Sequence, residues 1–479
     1  MFSNGKKRIL DNPLIQRYRY SSLRPLQFWI YTIIYITIII LILFINYTSY
    51  QYQSHFGDPA DFFESVYFQF LIFQVIILLI WAVFNSGSAL KDEIYNKSYD
   101  FFRMLPLPAY QKAIGILIGR NLLALLFAAI NCLFLLFLGL SGKVNFVLQV
   151  QILLTLVSIA VLANSAALLT STNTPQKKKG PNIIALVVLG FFFIPYLLGT
   201  LAHLSQTNDL EKVCAGFFTI QVPILLLITS IALYFSLWVF KGIIRKFNRE
   251  REPLFTRKGA FVFMLGYEIV AIGLFYPYLS EKITVTYFFW MASLIPAVLV
   301  LFGSLRNQDN YIEYSRSIHS RSDTGKSMKP SLLLYSNLSV GLGLFAIWIL
   351  FATGTILATG EDLLSNLYPA LVLFSFYLFF LLMVELYALY NSPNNKTGLL
   401  IGFIIILQII VPPILASITL NDTIYLYSPF GYFASIIETP DRNFAIETSV
   451  LVLNLGLCII PAKLTLQRYN LILIARQKM

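Results

Sequence analysis

Long apolar stretches alternate with short polar segments along almost the whole chain of 479 residues. A helix needs about twenty apolar residues to cross the hydrocarbon core of a bilayer. By that criterion the pattern predicts twelve spans, at roughly 26–47, 65–86, 112–139, 146–171, 183–203, 214–240, 259–279, 284–304, 331–358, 367–390, 398–420 and 445–462. The predicted fold class is therefore all-α, a polytopic integral membrane protein of about 12 transmembrane helices.

The polar segments between the spans suggest how the chain is divided. Residues 1–25 read as an amphipathic, interfacial helix on the cytosolic surface, which begins at Asn12-Pro13 because a cap residue followed by proline is typical of a helix start. The basic linker 241–258 separates two membrane bundles of six spans each, 26–240 and 259–462. A cytosolic tail, 463–479, follows the second bundle.

The distribution of lysine and arginine predicts the orientation in the membrane. With the N-terminus inside, 30 of the 35 Lys and Arg residues fall in cytosolic segments and only 4 in outside loops. Cytosolic loops carry this excess in membrane proteins, so both termini are expected in the cytosol. The same bias accounts for the net charge of +12 through contact with the lipid bilayer, without nucleic acid.

The sequence argues against catalytic chemistry within this chain. The stretch SDTGKS at 322–327 contains Gly-Lys-Ser, but Ser320 stands where a phosphate-binding loop needs glycine. The three cysteines and three histidines are scattered and have no metal-binding spacing. We therefore expect no enzyme activity, no metal and no cofactor.

Three charged residues fall inside the predicted spans, namely Arg120, Glu268 and Glu385. Charges within a membrane are costly and are candidates for function. Arg120 and Glu385 could pair and join the two bundles, or Arg120 could extend its side chain to the surface. Glu268 could line a substrate path or be held protonated beside a hydroxyl group.

The segment between the second and third spans combines charge, amphipathicity and proline. Leu90, Ile94, Phe101 and Leu105 share one helical face, which predicts a surface helix over about 89–105. Pro106 and Pro108 end it, and the third span follows. A short surface helix joined by a stiff corner to a spanning helix can transmit a push from a soluble partner.

This segment resembles the coupling region of the ABC-2 type, or export-type, ABC transporter permease family. The matching residues are Glu93, Asn96, Lys97, Ser98, Phe101, Phe102, Leu105, Pro106, Gly119 and Arg120. Arg120 stands where the family usually has lysine, and Ser98 where it usually has threonine. Residues 12–25, NPLIQRYRYSSLRP, are similar to the opening of a bacterial subgroup. The resemblance covers about residues 10–140.

The resemblance implies a transport subunit of a bacterial plasma (inner) membrane that works with a separate cytosolic ATPase, bound as a pair. Helix 89–105 would lie in a groove of the ATPase and transmit its motion. Family members usually have six spans and dimerise. Twelve spans imply either a fused pair, with 305–330 as a second coupling segment, or a six-span permease with an added bundle; a homodimer remains an alternative.

Two other functions are compatible with the sequence. An ion-coupled secondary transporter or flippase would use Glu268 and Glu385 as coupling groups. A polytopic glycan polymerase or ligase would use the aromatic outside loop 421–444, which equally suits a belt at the lipid headgroups.

Overall fold

The computed structural model describes residues 12–53, 59–95, 97, 104–172, 214–248, 252–279, 283–306, 310–314, 336–359, 363–390, 414, 426–428, 432 and 444–477. The predicted span at 183–203 lies outside these residues, and so does that at 398–420 except for Ile414. So do Asn96, Ser98, Phe101 and Phe102 of the predicted coupling segment, and most of the 421–444 loop.

The chain forms two compact units, residues 1–215 with 221–254 and residues 216–220 with 255–479. The elements in chain order are α1 (Pro13–Ser22), α2 (Pro25–Gln53), α3 (Pro59–Val75), a π-helical turn (Ile76–Trp81), α4 (Ala82–Tyr95), α5 (Ala109–Arg120), α6 (Leu122–Ser141), α7 (Phe146–Thr172), β1 (Cys214–Phe217), β2 (Ile220–Pro223), α8 (Ile224–Asn248), α9 (Arg257–Leu279), α10 (Ile283–Gly303), α11 (Asn337–Thr359), α12 (Leu363–Tyr390) and α13 (Phe444–Gln477).

Within the described residues, nine helices are long and apolar enough to cross a membrane. This confirms an all-α, polytopic membrane architecture, while the count of twelve spans stays a prediction. The helix α2 illustrates the composition. It has 29 residues and is therefore about 44 Å long, more than the hydrocarbon core requires. Its outward side chains, such as Ile33, Ile40 and Phe44, are apolar and exposed, as expected where lipid is the solvent.

Two boundaries differ from the sequence prediction. The predicted span at 214–240 begins instead with the hairpin of β1 and β2, and its helix, α8, starts only at Ile224. Phe218 makes the turn with φ of 53°, and its backbone N–H donates to the Gly273 carbonyl at 2.7 Å. The last span, predicted as 445–462, is the beginning of the much longer α13. Apolar composition alone could not distinguish a short hairpin from the first turns of a helix.

The described residues of the first unit form two main groups of buried apolar side chains. The main cluster includes Tyr35, Phe127 and Ile152, and the rings of Tyr35 and Phe127 stack with centroids 4.6 Å apart. The basal cluster consists of Leu14, Tyr18, Ala89, Leu90, Ala113, Ile116, Leu168 and Ile243. It joins α1 to the ends of α4, α5, α7 and α8 that the charge distribution assigns to the cytosol.

Aromatic packing dominates the core of the second unit. Trp290 of α10 and Trp348 of α11 are fully buried, with ring centroids 5.8 Å apart. The indole N–H of Trp348 donates to the Trp290 carbonyl at 3.1 Å. Phe345 stacks on Tyr377 of α12 at 5.2 Å. Each indole in this core thus has apolar contacts for its ring and an acceptor for its N–H.

A buried amide pair connects helices within the main cluster. The side-chain amide of Asn131 donates to Gln74 Oε1 at 2.8 Å and to the Phe70 carbonyl at 3.0 Å. Gln74 in turn donates to the Ala128 carbonyl at 3.2 Å. Where no water is present, such pairs hold helices together through hydrogen bonds that lipid cannot replace.

We expect Asn131→Leu to lower the free energy of unfolding by about 1 kcal/mol, because Oε1 of Gln74 loses the donor that Asn131 provides in a dry environment. Denaturant titration of the detergent-solubilised protein measures this. Ser141→Ala is the control, since its exposed hydroxyl bonds only to Phe137 of its own helix. Equal stability of the Asn131 variant and the wild type would contradict the assignment.

Candidate functional site

The helix α1 starts at a residue that also fixes its position. The Asn12 side chain accepts a hydrogen bond from the backbone N–H of Leu14 at 3.0 Å, which caps the helix before Pro13. Its amide group donates to the carbonyl of Gln111, in α5, at 2.7 Å. One side chain therefore both begins α1 and attaches it to α5.

Two glycines on one face of α5, Gly115 and Gly119, allow α1 to pack closely against it. A methyl group added at Gly115 would lie 2.9 Å from Cβ of Leu14, and one added at Gly119 would lie 2.7 Å from Cδ2 of Tyr18. Glycines four residues apart let two helices approach in this way. The apolar face of α1 is thus covered by protein, which differs from the lipid-surface position expected from the sequence.

The Glu93 carboxylate connects α4 to α1. It is 7% exposed and accepts hydrogen bonds from Nη2 of Arg17 at 2.9 and 3.2 Å and from the Tyr18 hydroxyl at 3.0 Å. Burial, and secondarily the charge of Glu93, raises the pKa of Tyr18, so its hydroxyl remains a donor. Charge-assisted bonds to a buried carboxylate are among the stronger hydrogen bonds in proteins. Glu93 therefore points into the protein, where its role is to position α1.

A second ion pair connects α4 to α5. Arg120, the last residue of α5, pairs with Asp92. Arg120 thus has a partner within the first unit, and Glu385 has its partners within the second. The pairing of Arg120 with Glu385, one of the two alternatives open for Arg120 from the sequence, stays a prediction.

A polar joint of Ser86, Asn121 and Asn164 lies where the basal cluster meets the main cluster. Asn121 donates to the Ser86 hydroxyl at 2.7 Å, and that hydroxyl donates to Asn164 Oδ1 at 2.8 Å. Asn121 also separates α5 from α6. The amide of Asn164 donates to the carbonyl of Leu78, within the π-helical turn, at 3.4 Å. The π-helical turn and the interruption between α5 and α6 therefore both lie beside this polar joint.

The sequence predicts only part of this joint. Asn164 falls inside the predicted span 146–171, where a polar side chain is expected to bond another helix, but Ser86 and Asn121 gave no such prediction. The π-helical turn has no signature in its sequence, IILLIW. The one feature of the sequence that could have indicated the joint is that Ser86 and Asn121 are polar residues at the end of, or within, otherwise apolar stretches.

The corner after α4 differs from the predicted continuous helix over 89–105. The helix α4 ends at Tyr95, and Lys97 is exposed with φ of 56°. Residues 89–95 are thus the last turns of a spanning helix. Further along, Leu105 and Leu107 pack against the basal cluster, with Pro106 exposed between them. The remainder of the predicted coupling helix lies outside the described residues.

In the second unit, Glu385 is fully buried and well hydrogen-bonded. Its carboxylate accepts from the Tyr311 hydroxyl at 2.6 Å, from the Tyr469 hydroxyl, and from the backbone N–H of Asn337 at 3.1 Å. These donors come from the helical segment at 310–314, from α13 and from the start of α11. Glu385 of α12 therefore fixes four elements to one another.

Glu268, in the middle of α9, has the opposite environment. It is 0% exposed, and neither carboxyl oxygen has a hydrogen-bond partner in the described part of the chain. The hydroxyl of the adjacent Tyr267 donates to the Ala292 carbonyl at 2.9 Å. Of the three charged residues predicted within the membrane, Arg120 and Glu385 thus have partners, whereas Glu268 has no hydrogen-bond partner among the described residues.

We expect Gly119→Leu to displace α1, because the new side chain would overlap Tyr18. Overpacking of this kind typically costs about 1–3 kcal/mol. Thermal unfolding in detergent and the rate of trypsin cleavage at Arg17 and Arg19 measure it. Gly354→Leu is the matched control, since nothing lies within 4 Å of a methyl group added there. Similar rates of trypsin cleavage for both variants would argue against close packing of α1 on Gly119.

The pair of Arg17 and Glu93 is testable by a double-mutant cycle with Arg17→Gln and Glu93→Gln. We expect each single change to destabilise the protein, and the double change to cost less than the sum by about 1 kcal/mol. The half-exposed position of Arg17 keeps this coupling modest. Arg19→Gln, on the exposed side of α1, serves as the control and should be close to neutral. Additive effects of the two changes would exclude a coupled pair.

Comparison with known proteins leaves this site to be interpreted from its own geometry. No family model, curated protein or solved structure matches the chain. Across the described ranges, no group of three His, Cys, Asp or Glu side chains could hold a metal ion. What is established is a membrane-embedded helical protein with a cross-linked block of helix ends in its first unit.

Proposed function

We propose that this chain is the membrane-spanning permease subunit of an ABC transporter that exports its substrate and depends on a separate cytosolic ATPase. One observation carries the proposal. The helix α1, the ends of α4 and α5, and the proline corner form one block, connected by ion pairs and the basal cluster. Such a block can receive a force at one place and transmit it to two spans.

The path of the force follows from the contacts. A push on the corner reaches α5 directly, because Leu105 and Leu107 pack on the basal cluster next to its first turns. It reaches α4 through the pair of Asp92 and Arg120. Since α4 and α5 cannot separate without breaking that pair, both spans would move together.

The surface offered to the ATPase consists of exposed residues around the corner. Lys97 is exposed, and Met104 is 75% exposed. The resemblance to the ABC-2 family gives Glu93 a coupling role, which we assign to positioning because its carboxylate is occupied by Arg17 and Tyr18. Lys97 and Met104 are therefore better candidates for direct contact with the partner.

The charge distribution supports the orientation that the proposal requires. The corner belongs to the side with 30 of the 35 Lys and Arg residues, which is the cytosolic side by the positive-inside rule. The proposed location is the inner membrane of a bacterium, with both termini in the cytosol. ATP hydrolysis is assigned to a pair of ATPase subunits, so the chain itself is a transport subunit and not an enzyme.

The test is co-purification from membranes of the source organism, using a tagged chain and mass spectrometry of the partners. We expect the wild type to recover a subunit with ABC-type nucleotide-binding motifs and ATP hydrolysis. The variant Lys97→Glu/Met104→Asp should lose that subunit, because it places negative charge on the contact surface. Its unfolding temperature should stay unchanged, since both side chains are exposed.

Tyr278→Ser provides the control, at an exposed position near the other end of a spanning helix. It should retain the ATPase. A wild-type preparation without any nucleotide-binding subunit or nucleotide-dependent activity would overturn the proposed function. Equal loss of the subunit in both variants would overturn the assignment of the contact surface.

A further inference from the structure

Glu268 lies on the inward face of α9. Met264 and Ala271, one turn to either side, are buried with it, whereas Val262 and Ile269, which lie roughly 100–120° around the helix from Glu268, are exposed. Both carboxyl oxygens of Glu268 are buried and have no hydrogen-bond partner among the described residues. A glutamate on this face cannot reach water by extending its side chain along the helix surface.

Among the described elements, the two helices that pack along α9 supply no counter-charge to Glu268. The helices α10 and α11, which pack along α9, contain no Lys, Arg, His, Asp or Glu. The hairpin residues 216–220, which contact α9 near Gly273, are also uncharged. The titratable neighbour in sequence, Tyr267 of α9, donates its hydroxyl to the Ala292 carbonyl at 2.9 Å. The buried hydroxyl of Ser293, on α10, donates to the Trp290 carbonyl.

The environment of the Glu268 carboxyl group favours a proton over a metal cation as its ligand. An ionised carboxylate without a partner in a dry interior costs several kcal/mol, whereas a neutral carboxylic acid costs far less. A hard metal cation would require several more oxygen ligands around it. Within the described residues, no cluster of acidic or other metal-binding side chains accompanies Glu268. A proton needs only the carboxyl group itself.

We propose that Glu268 is a proton-binding site, which holds a proton while α9, α10 and α11 are packed together and exchanges it with water when they separate. The proposal does not depend on the assignment of the chain as an ABC permease. It gives the second unit a proton-linked conformational equilibrium, because the ionised form of Glu268 is compatible only with an arrangement that admits water or a cation.

The two buried glutamates of the second unit provide an internal comparison. Glu385 is equally buried, but three donors are directed at its carboxylate and oppose the effect of burial, which favours the neutral form. Among the described residues, Glu268 has no such donor. A reagent that reacts only with a protonated carboxyl group in an apolar environment therefore distinguishes the two residues within one molecule.

Dicyclohexylcarbodiimide is such a reagent, because it adds to a carboxylic acid and leaves a stable N-acylurea on the side chain. The purified, full-length chain in lipid vesicles would be treated across a series of buffers from acidic to alkaline pH. Peptide mass spectrometry would quantify the adduct on each glutamate, normalised to the measured decay of the reagent. Glu268→Gln identifies the peptide that carries the adduct.

We expect about tenfold or more adduct on Glu268 than on Glu385. The adduct on Glu268 should decrease as the pH rises, by up to about tenfold per pH unit above the midpoint, because the protonated fraction falls by that factor. Labelling that is absent at every pH, or that does not change with pH, would overturn the proposal. Suppression of labelling by sodium or potassium at constant pH would also overturn it, in favour of a metal cation.

Discussion

A membrane interior has no water to solvate charge, so every charged group placed there must find a partner or be neutral. The described part of this chain shows both solutions. Glu93 and Glu385 are buried carboxylates with their donors in place, whereas Glu268 has none. The satisfied carboxylates join elements far apart in the sequence, and so they determine how helix ends are arranged. The unsatisfied one can be accommodated only as a neutral acid.

The two satisfied carboxylates have a common arrangement. Glu93 lies near the end of α4, and Glu385 lies near the end of α12. Each accepts a hydrogen bond from a tyrosine in a short helical segment two spans earlier in the chain, Tyr18 in α1 and Tyr311 in the segment 310–314. The residue separations are 75 for Tyr18 and Glu93, and 74 for Tyr311 and Glu385. A tyrosine hydroxyl suits this position, because its ring packs in the apolar cluster while its O–H reaches the carboxylate. Both units thus use the same chemistry to attach a peripheral segment to a spanning helix.

The sequence predicted the features that depend on local composition. The membrane class follows from apolar length, the start of α1 from Asn12-Pro13, and the corner from Pro106 and Pro108. Other features depend on partners distant in the sequence. The glycines of α5 could be interpreted only once Leu14 and Tyr18 were known to lie against them. Glu93 looked like a residue for a soluble partner, because the sequence does not reveal that Arg17 and Tyr18 enclose it. The π-helical turn at 76–81 has an ordinary apolar sequence, so nothing local distinguished it from α-helix.

The same contacts indicate where the first unit can change shape. The basal block cannot deform easily, since separating α4 from α1 or α5 would break the hydrogen bonds of the buried Glu93 to Arg17 and Tyr18, or the pair of Asp92 and Arg120. Movement of that block must therefore be absorbed at its boundary with the main cluster. That boundary contains the π-helical turn, the interruption at Asn121, and hydrogen bonds among Ser86, Asn121 and Asn164 that can exchange partners. Single π-helical turns within α-helices are frequent at functional sites. A stiff block with charged cross-links lies next to an irregular and polar joint, and under the proposed function this joint is where a force applied at the corner would change the packing of the spans.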